Sequence, residues 1–169
     1  MNTSSGRSFS RINWSALVMF ALGFWLSTSL LLDTVIIPSL SAAGMMSEEG
    51  FASAGYLLFG VFNRIELICA GIILAGLLVF RRHHSLSHLR EGWSLFLGTI
   101  LLVIPLLYTY ILTPQLSSLG LQLNIANISQ SMPPEMIALH GGYWALEIVK
   151  FLVGVTLLRW CYRDSCELI

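Results

Sequence analysis

YLLFGVFNRIELICAGIILAGLLVF, residues 56–80, decides how this chain must fold. Only Arg64 and Glu66 carry charge in its 25 residues, and as a helix it is about 38 Å long, enough to cross a ~30 Å hydrocarbon core. Lipid offers no hydrogen-bonding partners to the backbone, so a single crossing segment must be helical. Three further stretches pass the same test: Trp14 to Ile37, Trp93 to Leu112, and Ile137 to Leu158. Aromatics at their ends (Trp14, Tyr56, Trp93, Trp160, Tyr162) suit the headgroup layer, where one side of a ring is apolar and the other wet.

The composition agrees. Of 169 residues 56% are hydrophobic and 11% charged, against roughly 25% charged in soluble domains, which excludes a soluble globule. Nine basic residues balance nine acidic ones and form no phosphate-neutralising cluster, so nucleic acid is not an expected partner. The expected fold is all-α, an integral-membrane four-helix bundle. Its parts are an N-terminal tail (1–13), a first transmembrane hairpin (14–80), a basic loop (81–92), a second hairpin (93–160) and a C-terminal tail (161–169).

Basic residues set the expected direction. Arg7 and Arg11 precede the first span, Arg81, Arg82 and Arg90 fill the second connection, and Arg159 and Arg163 follow the last span. The connections 39–55 and 113–136 hold Glu48, Glu49 and Glu135 but no Lys or Arg. Both termini are therefore expected in the cytoplasm of a bacterial inner or thylakoid membrane. Ser41-Ala42-Ala43 resembles a signal-peptidase site, but the apolar run from Ser15 to Leu32 is longer than the usual ~7–15 residue signal core, so retention as a span is expected. Cys69, Cys161 and Cys166 are read as free thiols.

Two hairpins share a pattern. Pro38-Ser39-Leu40-Ser41-Ala42-Ala43-Gly44 and Pro114-Gln115-Leu116-Ser117-Ser118-Leu119-Gly120 both read P-x-L-S-x-x-G, at an offset of 76 residues. Gly60, Phe62 and Glu66 match Gly141, Tyr143 and Glu147 at an offset of 81. A duplicated pair of hairpins in parallel orientation is the expected source, with Glu66 and Glu147 as symmetry mates. Pro38 and Pro114 are expected to end their helices, Pro105 to kink the third span, and Gly71 with Ala75 to let helices approach closely.

Five ionisable residues fall in or at the edges of the spans: Asp33, Arg64, Glu66, Glu147 and Lys150. A charge facing lipid at mid-span costs roughly 2.5–3.5 kcal/mol, so these should face the bundle interior or a water-filled cavity. Asn63 shares the face of Glu66, whereas Arg64 points nearly opposite, which makes Asp33 the expected partner of Arg64. His140, Tyr143, Glu147 and Lys150 form a polar stripe within which Glu147 can pair with Lys150. Met132, Met136 and His140 recur every fourth residue as soft ligands of the kind that suit Cu(I), and His83, His84 and His88 offer a weaker metal-ligand spacing. Two axial histidines for one haem are missing from the spans, while a single-histidine haem or a quinone stays open.

Phe24-Trp25-Leu26, Asp33, Pro38-Ser39-Leu40, Ala43-Gly44-Met45-Met46, Gly50-Phe51, Gly55-Tyr56 and Phe62-Asn63-Arg64-Ile65-Glu66-Leu67 resemble an uncharacterised bacterial membrane family, domain of unknown function 4149, in its cyanobacterial form. That family is similar in hydropathy to an animal transmembrane protein linked to cisplatin tolerance. It is more distantly similar to four-helix copper-resistance and protoporphyrinogen-oxidase membrane proteins. The resemblance implies the four-helix fold; the oxidase-like relatives carry histidines at the starts of their spans, and the first three spans here have none. The first expectation for function is a non-catalytic assembly or interaction component, meeting lipid and a membrane-protein partner or a second copy. The alternatives are translocation of a cation, proton or metal through the Glu66/Glu147 region, and a membrane redox protein binding haem or quinone.

Overall fold

The computed structural model describes residues 13–45, 51–82, 88–126 and 133–166, and it is an all-α four-helix bundle. Helix α1 spans Trp14–Ala42, α2 Phe51–Arg82, and α4 Pro134–Cys166. Helix α3 consists of His88–Leu107, a π-helical turn Tyr108–Leu112, and Thr113–Ala126. All four are long and apolar enough to cross a membrane, and the chain is an integral membrane protein of the multi-pass type. The Asn13 side chain caps α1 by accepting the Ala16 N–H at 3.2 Å. At its other end Gly44 takes φ +71°, a left-handed conformation that suits glycine and turns the chain out of the helix.

The helices form a ring in which each touches its two neighbours, and among the described residues the diagonal backbones do not approach. Glycines set three of the four contacts. A Cβ on Gly76 of α2 would collide with Val18 of α1, one on Gly98 of α3 would meet Leu77 of α2 at 2.7 Å, and one on Gly154 of α4 would meet Leu26 of α1 at 2.8 Å. Such approaches maximise dispersion contact where lipid, being as apolar as the core, provides no hydrophobic drive between helices. Gly71 and Ala75, expected to do this, instead face outward. They lie on the opposite side of α2 from Ile73, Gly76 and Leu77, which point into the core.

The prolines also depart from expectation. Pro38 and Pro114 do not end their helices, which continue to Ala42 and Ala126. Much of the connection read as 113–136 is therefore helix. A π-helical turn precedes each proline, Leu32–Ile36 before Pro38 and Tyr108–Leu112 before Pro114, and Ile37 and Thr113 donate five residues back to the Leu32 and Tyr108 carbonyls. The ladder has thus shifted register just where proline lacks an N–H, and the helix passes the break. Thr34 and Thr109, one in each turn, donate to the Leu30 and Pro105 carbonyls at 2.6 and 2.7 Å. The two turns are separated by the 76-residue offset of the sequence motif. Their glycines differ: Gly44 closes α1, whereas Gly120 is helical.

The described parts of both acidic connections, 39–45 with 51–55 and 113–126 with 133–136, belong to one end of the bundle, here the acidic end, and Arg81 and Arg159 to the other, the basic end. From the bundle middle toward the basic end the core is apolar, built from Val18, Leu22, Ala70, Ile73, Leu77, Leu101 and Leu157.

Candidate functional site: a buried carboxylate and lysine cluster

Lys150 is fully enclosed, and all four helices contribute to its surroundings. Its Nζ donates to Glu147 Oε1 at 2.5 Å within α4 and to Glu66 Oε1 at 2.7 Å on α2. The second bond crosses the diagonal that the helix backbones leave open. From α1, Trp25 Nε1 and Ser29 Oγ donate to the same Glu66 oxygen at 2.7 and 3.2 Å. Three aromatic rings surround the ammonium, Tyr108 at 5.5 Å, Trp25 at 5.9 Å and Phe151 at 6.0 Å to their centroids. An ammonium over ring faces gains from their negative quadrupole, which offsets part of its desolvation.

Asp33 extends the cluster toward the acidic end. Tyr143 donates to its Oδ1 at 3.0 Å, and Asp33 feels the charges of Lys150, Glu66 and Glu147. Three carboxylates therefore face one ammonium, and Glu66 Oε2 is a buried acceptor with no hydrogen-bond partner among the described residues, while Glu147 interacts with the Tyr108 hydroxyl and with Asp33. A purely structural ion pair would not need these surplus acceptors, because every orphaned polar atom in a dry interior costs free energy.

The structure brings together four of the seven expected residues. Glu66, Glu147, Lys150 and Asp33 meet in the cluster, whereas Asn63, one turn from Glu66, turns to α3 and donates to Thr113 Oγ1 at 2.8 Å. Thr113→Val keeps the shape but leaves the Asn63 amide without its acceptor, and should lower stability by about 1 kcal/mol in thermal unfolding followed by circular dichroism. An unchanged melting temperature would show that the bond is not maintained in the bilayer.

Arg64 does not pair with Asp33: it is exposed in the groove between α2 and α3, while Asp33 turns to Tyr143 on α4. Matching depth suggested the pair, but the α2 face bearing Arg64 looks away from α1. His140 is likewise exposed, leaving the lower three members of the α4 stripe to point inward, and its Nδ1 is 2.8 Å from the Met136 carbonyl. Met132, His83 and His84 lie outside the described residues. Within those described, no three His, Cys, Asp or Glu side chains converge as a metal site. Cys69 is a free, buried thiol, and Cys161 is buried.

Sequence reasoning missed Trp25, Ser29 and Tyr108. Trp25 offered a signal: it lies about 17 Å along the helix from the interfacial Trp14, at a depth where an indole N–H must find a protein acceptor. Ser29, four residues on, shares its face. No family model, curated protein or solved structure matches the chain.

Proposed function

We propose that this membrane protein moves protons across the bilayer, with the Asp33, Glu147, Lys150 and Glu66 cluster as the intramembrane loading site. The observation that carries the reading is the imbalance of three carboxylates against one ammonium, beside a Glu66 oxygen that is buried with no partner among the described residues. Neutrality in a low-dielectric interior then calls for protons or other cations to join the cluster, the condition for a site that loads and unloads.

Depth supports a direction. Asp33 is about 28 Å from Trp14 along α1, Glu66 about 22 Å from Arg81, and Lys150 about 14 Å from Arg159, so polar groups run from the acidic end to mid-membrane. Below them lies the apolar core, so the acidic end is the nearer side for a proton to enter. By the positive-inside rule that end faces away from the cytoplasm. Release to the basic end then requires the helices to shift, as in carriers built from repeated units. The matching π turns are in keeping with duplicated hairpins. In that frame Cys69 occupies the position related to Lys150 by the 81-residue offset, so a single lysine serves both glutamates.

The assembly reading draws on the same diagonal bond, which fixes helix register without any flux. Proteoliposomes loaded with a pH-sensitive dye separate the two. Wild-type protein should collapse an imposed proton gradient, and Glu66→Gln with Glu147→Gln and Lys150→Met, a neutral triad of similar volume, should fold yet lose at least about tenfold in flux. A folded triad with full flux, or a wild type without flux, leaves the assembly role standing alone.

A further inference from the structure

We infer that the groove between α2 and α3 at the acidic end binds the phosphate of an anionic phospholipid, with Arg64 as its principal contact. Tyr56, Gly60, Asn63, Arg64, Thr109 and Thr113 line this groove, which is separate from the buried cluster. Arg64 is exposed, and among the described residues no carboxylate lies within ion-pair distance of it. It is also the sole Lys or Arg in the sequence between Arg11 and Arg81.

Depth and direction place the guanidinium at a headgroup. Arg64 is 17 residues, about 26 Å, from Arg81 along α2, close to the far edge of a ~30 Å hydrocarbon core. Helical side chains tilt toward the N-terminus of their own helix, and α2 begins at the acidic end, so the long Arg64 side chain leans from the core edge toward the phosphate layer. A planar guanidinium can give a phosphate two parallel N–H bonds. The groove adds hydroxyls: Thr113 Oγ1 accepts from Asn63, which leaves its own hydrogen to donate, and Tyr56 contributes a phenol. The connections 39–55 and 113–136 hold no Lys or Arg in the sequence, so no basic cluster there supplies a diffuse attraction and an anionic lipid must be held by a specific contact.

Native mass spectrometry of the delipidated full chain in detergent, titrated with phosphatidylglycerol and with zwitterionic phosphatidylcholine, tests the site. Retention of phosphatidylglycerol should exceed that of phosphatidylcholine, fall about tenfold in Arg64→Gln, be partly kept in Arg64→Lys, and be unchanged in Arg81→Gln. Millimolar inorganic phosphate should not displace the lipid. Equal retention of the two lipids, an unaffected Arg64→Gln, or displacement by inorganic phosphate would each overturn the assignment. Since Arg64 is exposed, Arg64→Gln should melt with the wild type, and the loss then reports on the lipid.

Discussion

Lys150→Met is expected to lower stability by about 3–5 kcal/mol, enough to remove most of the folded protein from the membrane. Methionine fills a similar volume, so the loss is electrostatic. Glu66 and Glu147 share this one ammonium at 2.7 and 2.5 Å, and without it two carboxylates face each other in a site closed to water. Trp25 and Ser29 still donate to Glu66, but Glu147 loses the lysine that is its charged partner. Accumulation in membranes and thermal unfolding in detergent would measure the effect. Restoring Glu66→Gln and Glu147→Gln in the Lys150→Met background should recover most of the stability, because the penalty belongs to the unpaired charges and not to the shape. If the single variant is as stable as the wild type, the cluster does not hold ions at all.

Gly76→Val should cost toward the upper end of about 1–3 kcal/mol by overpacking. The same change at the other two close approaches meets a leucine methyl that can rotate aside. At Gly76 the obstacle is Val18, whose Cγ2 would collide with even a single added carbon and whose branched side chain has one preferred rotamer in a helix. Trp14 closes the same space at 3.8 Å. The diagnostic result is rescue: Gly76→Ala combined with Val18→Ala should recover most of what Gly76→Ala alone loses, while Gly98→Ala and Gly154→Ala lose less. Losses of equal size at all three glycines would mean that helix approach, and not the stiffness of Val18, sets the cost.

The spans were readable because hydropathy and the demand for internal backbone bonding leave one solution. So were Glu66, Glu147, Lys150 and Asp33, since a charge within a span has to turn inward. What escaped were the neutral partners. A serine or tyrosine in an apolar helix is cheap enough to face either way, so Ser29 and Tyr108 acquire meaning once Glu66 and Lys150 are located beside them. Arg64 was misassigned because depth fixes height in the membrane but not the azimuth of a side chain around its helix. Pro38 and Pro114 were misread because the rule for proline in an α-helix presumes α register, and here a π turn changes that register first.

The diagonal bond from Glu66 to Lys150 joins residues 84 positions apart, in α2 and α4, so the ribosome makes the acid well before the base. A nascent chain therefore inserts an acidic residue long before its cation has been made. During that interval α1 and α2 hold Glu66 with an indole and a hydroxyl alone, and a chain cut short before α4 never gains the cation. Helix α4 thus completes the site: until it has inserted, the indole and hydroxyl of α1 hold Glu66 without a counter-charge.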